Sequence, residues 1–117
     1  MLMLSPNTRI YIATSCVDMR KSVDGLSIVV QETLNKNPLS GHLFVFANKR
    51  GDKIKILYWD RNGFCLWYKR LEKSVFHLPK ISGPVFNVNP AELGMILEGI
   101  DLSYQRRLKS ISHDLVN

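Results

Sequence analysis

Little in this chain equips it for covalent or metal chemistry. It has only two cysteines, Cys16 and Cys65, too few for a disulfide framework and without the paired spacing of a zinc site. A reducing compartment is the default, and the cytoplasm is the expected location. Histidine is equally sparse: His42, His77 and His113 lie far apart, and none shares a short motif with Cys, Asp or Glu at metal-ligand spacing. There is no glycine-rich phosphate loop. No run approaches the roughly 18 apolar residues of a membrane span. The opening Met1-Leu2-Met3-Leu4-Ser5-Pro6-Asn7 lacks the charged start and long apolar run of a signal peptide. No cofactor or metal is expected.

What remains is enough for one folded unit. A chain of 117 residues with 45% hydrophobic content suits a single core. Turn signals recur without any internal repeat or long linker. Arg9-Ile10-Tyr11-Ile12-Ala13 alternates like a short strand with Ile10 and Ile12 on one face. Met19, Val23, Leu26, Val30 and Leu34 then recur at helical spacing, with Asp18 as N-cap and Asn35 to Pro38 as the stop. Gly25 inside that helix predicts a close approach of another backbone.

Three strand-like segments follow, Leu43 to Ala47, Lys53 to Trp59 and Phe64 to Arg70. They are joined by a polar loop around Gly51 and by Asn62-Gly63, a strong hairpin signal. Val75 to Leu78 reads as a fourth strand ending at Pro79. Asn89-Pro90-Ala91-Glu92 opens a second helix with a capping box and Pro at its first position, and Leu93, Ile96, Leu97 and Ile100 form its stripe. The expected fold is α+β: a twisted antiparallel meander packed against one or two amphipathic helices over residues 1–102, with a loosely held basic tail at 103–117.

Charge is the most informative feature. Sixteen Lys and Arg against ten Asp and Glu leave +6 overall, and residues 49–73 carry most of it. Lys49, Arg50, Lys53, Lys55, Arg61, Lys69, Arg70 and Lys73 lie in that window, with Trp59 and Trp67 interleaved. On strands, Lys53 and Lys55 share a face with Trp59, and Trp67 shares one with Lys69. A hairpin pairing could join the two stripes into a surface where cations meet phosphates and indole rings meet bases. Arg20 and Lys21 form a second basic group in the first turn of the first helix, where cations oppose the helix dipole. The competing reading is a solvated sheet face on which lysine stems cover the rings. If the face binds DNA, removing Lys53 and Lys55 together should weaken binding without lowering the melting temperature.

Two other classes stay open. An adaptor could use Tyr58, Trp59, Trp67 and Tyr68 as an aromatic anchor for a partner or a second copy. A small metal-independent RNase would need Tyr58, Tyr68, Glu72 or His77 poised beside the cations. A Cys16 nucleophile would depend on its place before a helix N-terminus. Asp18, Asp24, Asp52 and Asp60 include no adjacent carboxylate pair.

Four motifs in order add a resemblance: Val17-Asp18-Met19-Arg20-Lys21-Ser22-Val23-Asp24-Gly25-Leu26, Ser40-Gly41-His42-Leu43-Phe44-Val45-Phe46, Lys53-Ile54-Lys55-Ile56-Leu57-Tyr58-Trp59-Asp60, and Gly63-Phe64-Cys65-Leu66-Trp67-Tyr68-Lys69-Arg70-Leu71-Glu72. Over residues 3–102 the chain closely resembles the TnpB family, the Orf2-like accessory proteins of bacterial insertion sequences of the IS sixty-six type, distinct from the RNA-guided nucleases of that name. The resemblance implies a non-enzymatic accessory factor in transposition, encoded beside a larger DDE-type transposase and a small helix-turn-helix protein. DNA at the element's ends and the cognate transposase are the implied partners. No active-site residue carries over. The ending Ile111-Ser112-His113-Asp114-Leu115-Val116-Asn117 departs from the more basic, proline-containing end common in that family.

Overall fold

The computed structural model describes residues 4–101, so the tail expected at 103–117 lies outside the described residues. Within them run β1 (Ile10–Ala13), α1 (Val23–Glu32), β2 (Leu43–Ala47), β3 (Lys53–Asp60), β4 (Gly63–Arg70), β5 (Val85–Val88) and α2 (Pro90–Leu97). The strands form one five-stranded sheet in the order β4-β3-β2-β1-β5. The fold is α+β, and β2-β3-β4 is an antiparallel meander. The sheet is nevertheless mixed, because β1 pairs parallel to β2, with α1 as the crossover, and antiparallel to β5. A parallel neighbour cannot be reached by a tight turn, which is why a helix intervenes between β1 and β2.

The two helices cover opposite faces rather than one. On the α2 face, Ile10, Ile12, Val45, Ile54 and Ile56 pack with Leu93, Ile96 and Leu97. On the α1 face, Tyr11, Phe44, Phe46 and Leu57 pack with Leu26, Val30 and Leu34. Strand β2 is covered on both sides, so every residue of Leu-Phe-Val-Phe-Ala is buried and the segment reads as an unbroken apolar run.

Helix α1 starts later than its apolar spacing predicts. Asp18 is not its cap: Ser22 occupies that position without a side-chain hydrogen bond, and Met19, Arg20 and Lys21 precede the helix. Ile28 faces solvent at 51% exposure. Gly25 approaches no other element; a Cβ there would meet the Lys21 side chain at 3.3 Å.

Helix α2 follows the sequence reading closely. Asn89 accepts a hydrogen bond from the Glu92 amide at 2.7 Å, and the Glu92 carboxylate accepts one from the Asn89 amide at 3.0 Å. Ile100 falls outside the helix and is exposed. Asn89→Ala is expected to lower unfolding stability by about 1 kcal/mol, measured by denaturant titration.

Val75 to Leu78 is irregular, not a strand. The strand after β4 is β5, entered through Gly83 at φ 93° and Pro84, whose carbonyl accepts from the Thr14 amide at 3.1 Å. Four residues between Pro84 and Asn89 give too short an alternation to stand out from a loop.

Candidate nucleic-acid interface

The β3–β4 hairpin decides which cations share a face. Asp60 pairs with Gly63, so the turn residues are Arg61 and Asn62, with Arg61 at φ 52°. Gly63 is the first residue of β4, so the turn and the start of the strand fall one position earlier than the Asn62-Gly63 signal implies. A two-residue turn pairs odd-numbered with even-numbered positions. Lys53 therefore faces Arg70 and Lys55 faces Tyr68, while Ile56 faces Trp67 and Ile54 faces Lys69. Directly paired residues share a face. The expected union of Lys53 and Lys55 with Trp67 and Lys69 does not occur, because those pairs lie on opposite sides of the sheet.

Two of the predicted phosphate-binding lysines do structural work. Lys55 donates from Nζ to the carbonyls of Met19 at 2.7 Å and Lys21 at 2.9 Å, pinning the segment before α1 to the sheet. Lys69 donates to the Leu97 carbonyl at 2.8 Å. That carbonyl ends α2, where unpaired acceptors and the negative end of the helix dipole favour a cation. Trp67 packs against the core on the same side. Removing Lys53 and Lys55 together is thus no clean test of binding, since Lys55 contributes to the fold.

What Lys55 holds is a self-contained turn. The Lys21 amide donates to the Asp18 carbonyl at 3.0 Å, and the Arg20 amide donates to Asp18 Oδ1 at 2.9 Å. The Arg20 side chain returns to the same carboxylate, with Nη2 donating to Oδ2 at 2.6 Å. The Arg20 side-chain and backbone donors hold the Asp18 pKa down at about 2, against 3.8 for a free side chain. The carboxylate is therefore fully ionised above the usual aspartate range, and the turn loses this acceptor only as pH falls through about 2. The Arg20 side chain stays 91% exposed, with donors left for another anion.

Arg20 and the hairpin meet around one open cleft of about 670 Å³. Asp18, Met19 and Arg20 form one wall, Lys53 and Lys55 the base on β3, and Leu66 and Tyr68 the side on β4. Lys53 lies 3.4 Å from Asp52, whose pKa is lowered first by the Asn48 amide and then by Lys53. Arg70, beside Lys53, pairs with Glu72 at 2.9 Å and is half exposed. Lys49 and Arg50 in the loop before β3, and Lys73 after β4, lie at the same end of the sheet. Lys21, Lys49, Arg50 and Lys73 are exposed and make no ion pair among the described residues. Arg61 sits at the other end of β3, roughly 25 Å away at the usual rise per strand residue.

Tyr68 is the aromatic that the sequence reading left out of the basic face. It is 49% exposed on the cleft face, with Lys55 Nζ 5.8 Å from its ring centroid. Trp59 shares that face at the far end, edge-on to Phe64 at 5.1 Å. The parity of the hairpin would have identified Tyr68 as the ring beside Lys55 and Arg70. Tyr58 and Trp67 pack on the α2 side, so the four aromatics do not form a single adaptor anchor. Burial, and then the Cys65 contact, pushes the Tyr58 hydroxyl up. Glu72 is engaged by Arg70, His77 is exposed, and Cys16 lies six residues before Ser22 rather than at a helix N-terminus. Among the described residues, no group of three His, Cys, Asp or Glu could hold a metal ion. No helix among them is long and apolar enough to cross a membrane.

The fold and this surface define a small α+β protein with a basic end. The sequence pattern of the IS66 Orf2 like proteins matches residues 8–107, and the chain belongs to that family of transposition accessory proteins. Uncharacterized protein y4hO of Sinorhizobium fredii is 42% identical over 101 residues, 86% of this chain and 88% of its own length. Uncharacterized protein y4jC of the same organism is 34% identical over 103 residues, covering 88% of each chain. No solved structure matches.

Proposed function

We propose that this protein assists transposition without catalysing it, by binding DNA at the basic end of its sheet, either alone or in complex with the cognate transposase. The observation that carries this reading is that cations from two separated motifs, Arg20 from the first and Lys53 from the hairpin, line one cleft, with Arg70 directly across the hairpin from Lys53. Lys21, Lys49, Arg50 and Lys73 extend the positive surface beyond it. Lys69 and Trp67 leave the proposed contact set, and Arg61 lies too far from the cleft to share one short stretch of backbone with it.

Phosphate contacts release counterions, so affinity should fall steeply with salt. In a titration of labelled oligonucleotides across salt concentrations, Arg20→Gln with Arg70→Gln is expected to weaken binding severalfold and reduce the salt slope by about 1 per lost contact. An unchanged slope would remove both residues from the surface. Absence of binding at low salt would leave protein contact with the transposase as the route of assistance, to be tested by co-purification at high salt after nuclease treatment.

A further inference from the structure

We infer that the cleft takes an unpaired nucleotide, with Tyr68 as the platform for its base and Arg20 and Arg70 on the flanking phosphates. This rests on the DNA-binding reading and specifies the form of DNA. A duplex needs only cations, because its base faces are covered by their neighbours. This cleft offers more than cations. Its walls include the half-exposed ring of Tyr68 and the apolar side chains of Met19 and Leu66, all partly open to solvent beside Arg20 and Lys53. A flat ring beside apolar wall residues gains little from B-form backbone, whereas an unstacked base can cover both. The volume of about 670 Å³ lies within the range of pockets that enclose small ligands.

The geometry also fixes the ring. Tyr68 stands directly across from Lys55, whose ammonium is held by the Met19 and Lys21 carbonyls at the opposite wall. The same ammonium lies 5.8 Å from the ring centroid, a cation–π contact with Tyr68. The ring, Met19 and the turn that carries Arg20 are therefore all tied to β3 through Lys55.

The test compares one labelled single-stranded oligonucleotide with the duplex of the same sequence, for the unaltered protein, Tyr68→Ala and Tyr68→Phe. Tyr68→Ala is expected to weaken single-strand binding about tenfold, as loss of a stacking ring does, while duplex affinity changes less than twofold. Tyr68→Phe keeps the ring and should retain single-strand affinity. Unchanged single-strand affinity in Tyr68→Ala, or an equal loss on both ligands, overturns the cleft assignment but leaves the DNA-binding reading intact wherever a steep salt slope persists. Binding of neither ligand by the unaltered protein at low salt overturns both. Melting curves of the two variants keep a folding defect from passing as a binding effect.

Discussion

Lys55→Met is expected to lower the melting temperature by about 10 °C, whereas Lys53→Met, two residues away on the same strand face, should barely move it. Methionine keeps an unbranched stem of similar length but cannot donate a hydrogen bond. The Met19 and Lys21 carbonyls would lose the ammonium that accounts for their contact with the sheet. Hydrogen bonds from charged donors contribute about 1.5–3 kcal/mol, and carbonyls that water can reach recover part of that, so a loss of about 2 kcal/mol is expected. For a domain of this size each kcal/mol corresponds to about 4–8 °C. The functional consequence runs through position: with the turn untied from β3, Arg20 no longer stays at the rim of the cleft. Affinity for DNA should fall further than removal of one exposed charge explains. Thermal melts and oligonucleotide titrations on the two variants check this. Equal melting temperatures would show that Lys55 is only a surface cation.

The Lys55 and Lys69 contacts show where sequence reading stops. Composition concentrates cations between residues 49 and 73, but composition does not distinguish a lysine that meets phosphate from one that meets a carbonyl. Both lysines lie on strands and both reach elements distant in sequence, Met19 and Leu97. That reach is set by tertiary packing. The hairpin faces, by contrast, were legible: once the turn has two residues, pairing parity alone separates Lys53, Lys55, Tyr68 and Arg70 from Trp67 and Lys69. Strands β2, β3 and β4 and the α2 cap were readable because each signal is local. The spacing extends helix α1 to Asp18 because Met19 falls in the 3.6-residue phase, although the turn around Met19 is closed by Asp18 and Arg20 instead. The parallel pairing of β1 with β2 left no local mark, since a crossover imposes no turn signature.

Phe76→Ala is expected to be the most damaging of these substitutions, with a stability loss of about 3–5 kcal/mol, because the segment Val75 to Leu78 is an anchor rather than a strand. Val75 to Leu78 does alternate: Val75 and His77 are exposed, Phe76 is 6% exposed, and Leu78 is half-buried. Alternation reports an extended stretch with one buried side. It does not supply a ladder partner, and here the one ladder-like bond runs from the Phe76 amide to the Gly51 carbonyl at 2.8 Å. Phe76 is buried in the α2-side core, and its amide hydrogen bond to Gly51 draws the chain after β4 back against the β2–β3 loop. Those two segments carry Lys49, Arg50 and Lys73. Loss of the ring should therefore combine global destabilisation with loosening of the basic end, whereas Val75→Ala, truncating a side chain that is 39% exposed, should cost no more than about 1 kcal/mol. Denaturant unfolding of both variants provides the comparison. A Phe76→Ala loss no larger than that of Val75→Ala would mean that the segment only drapes over the sheet end, and that the basic loops are held by their own hydrogen bonds at Asn48 and Asp52.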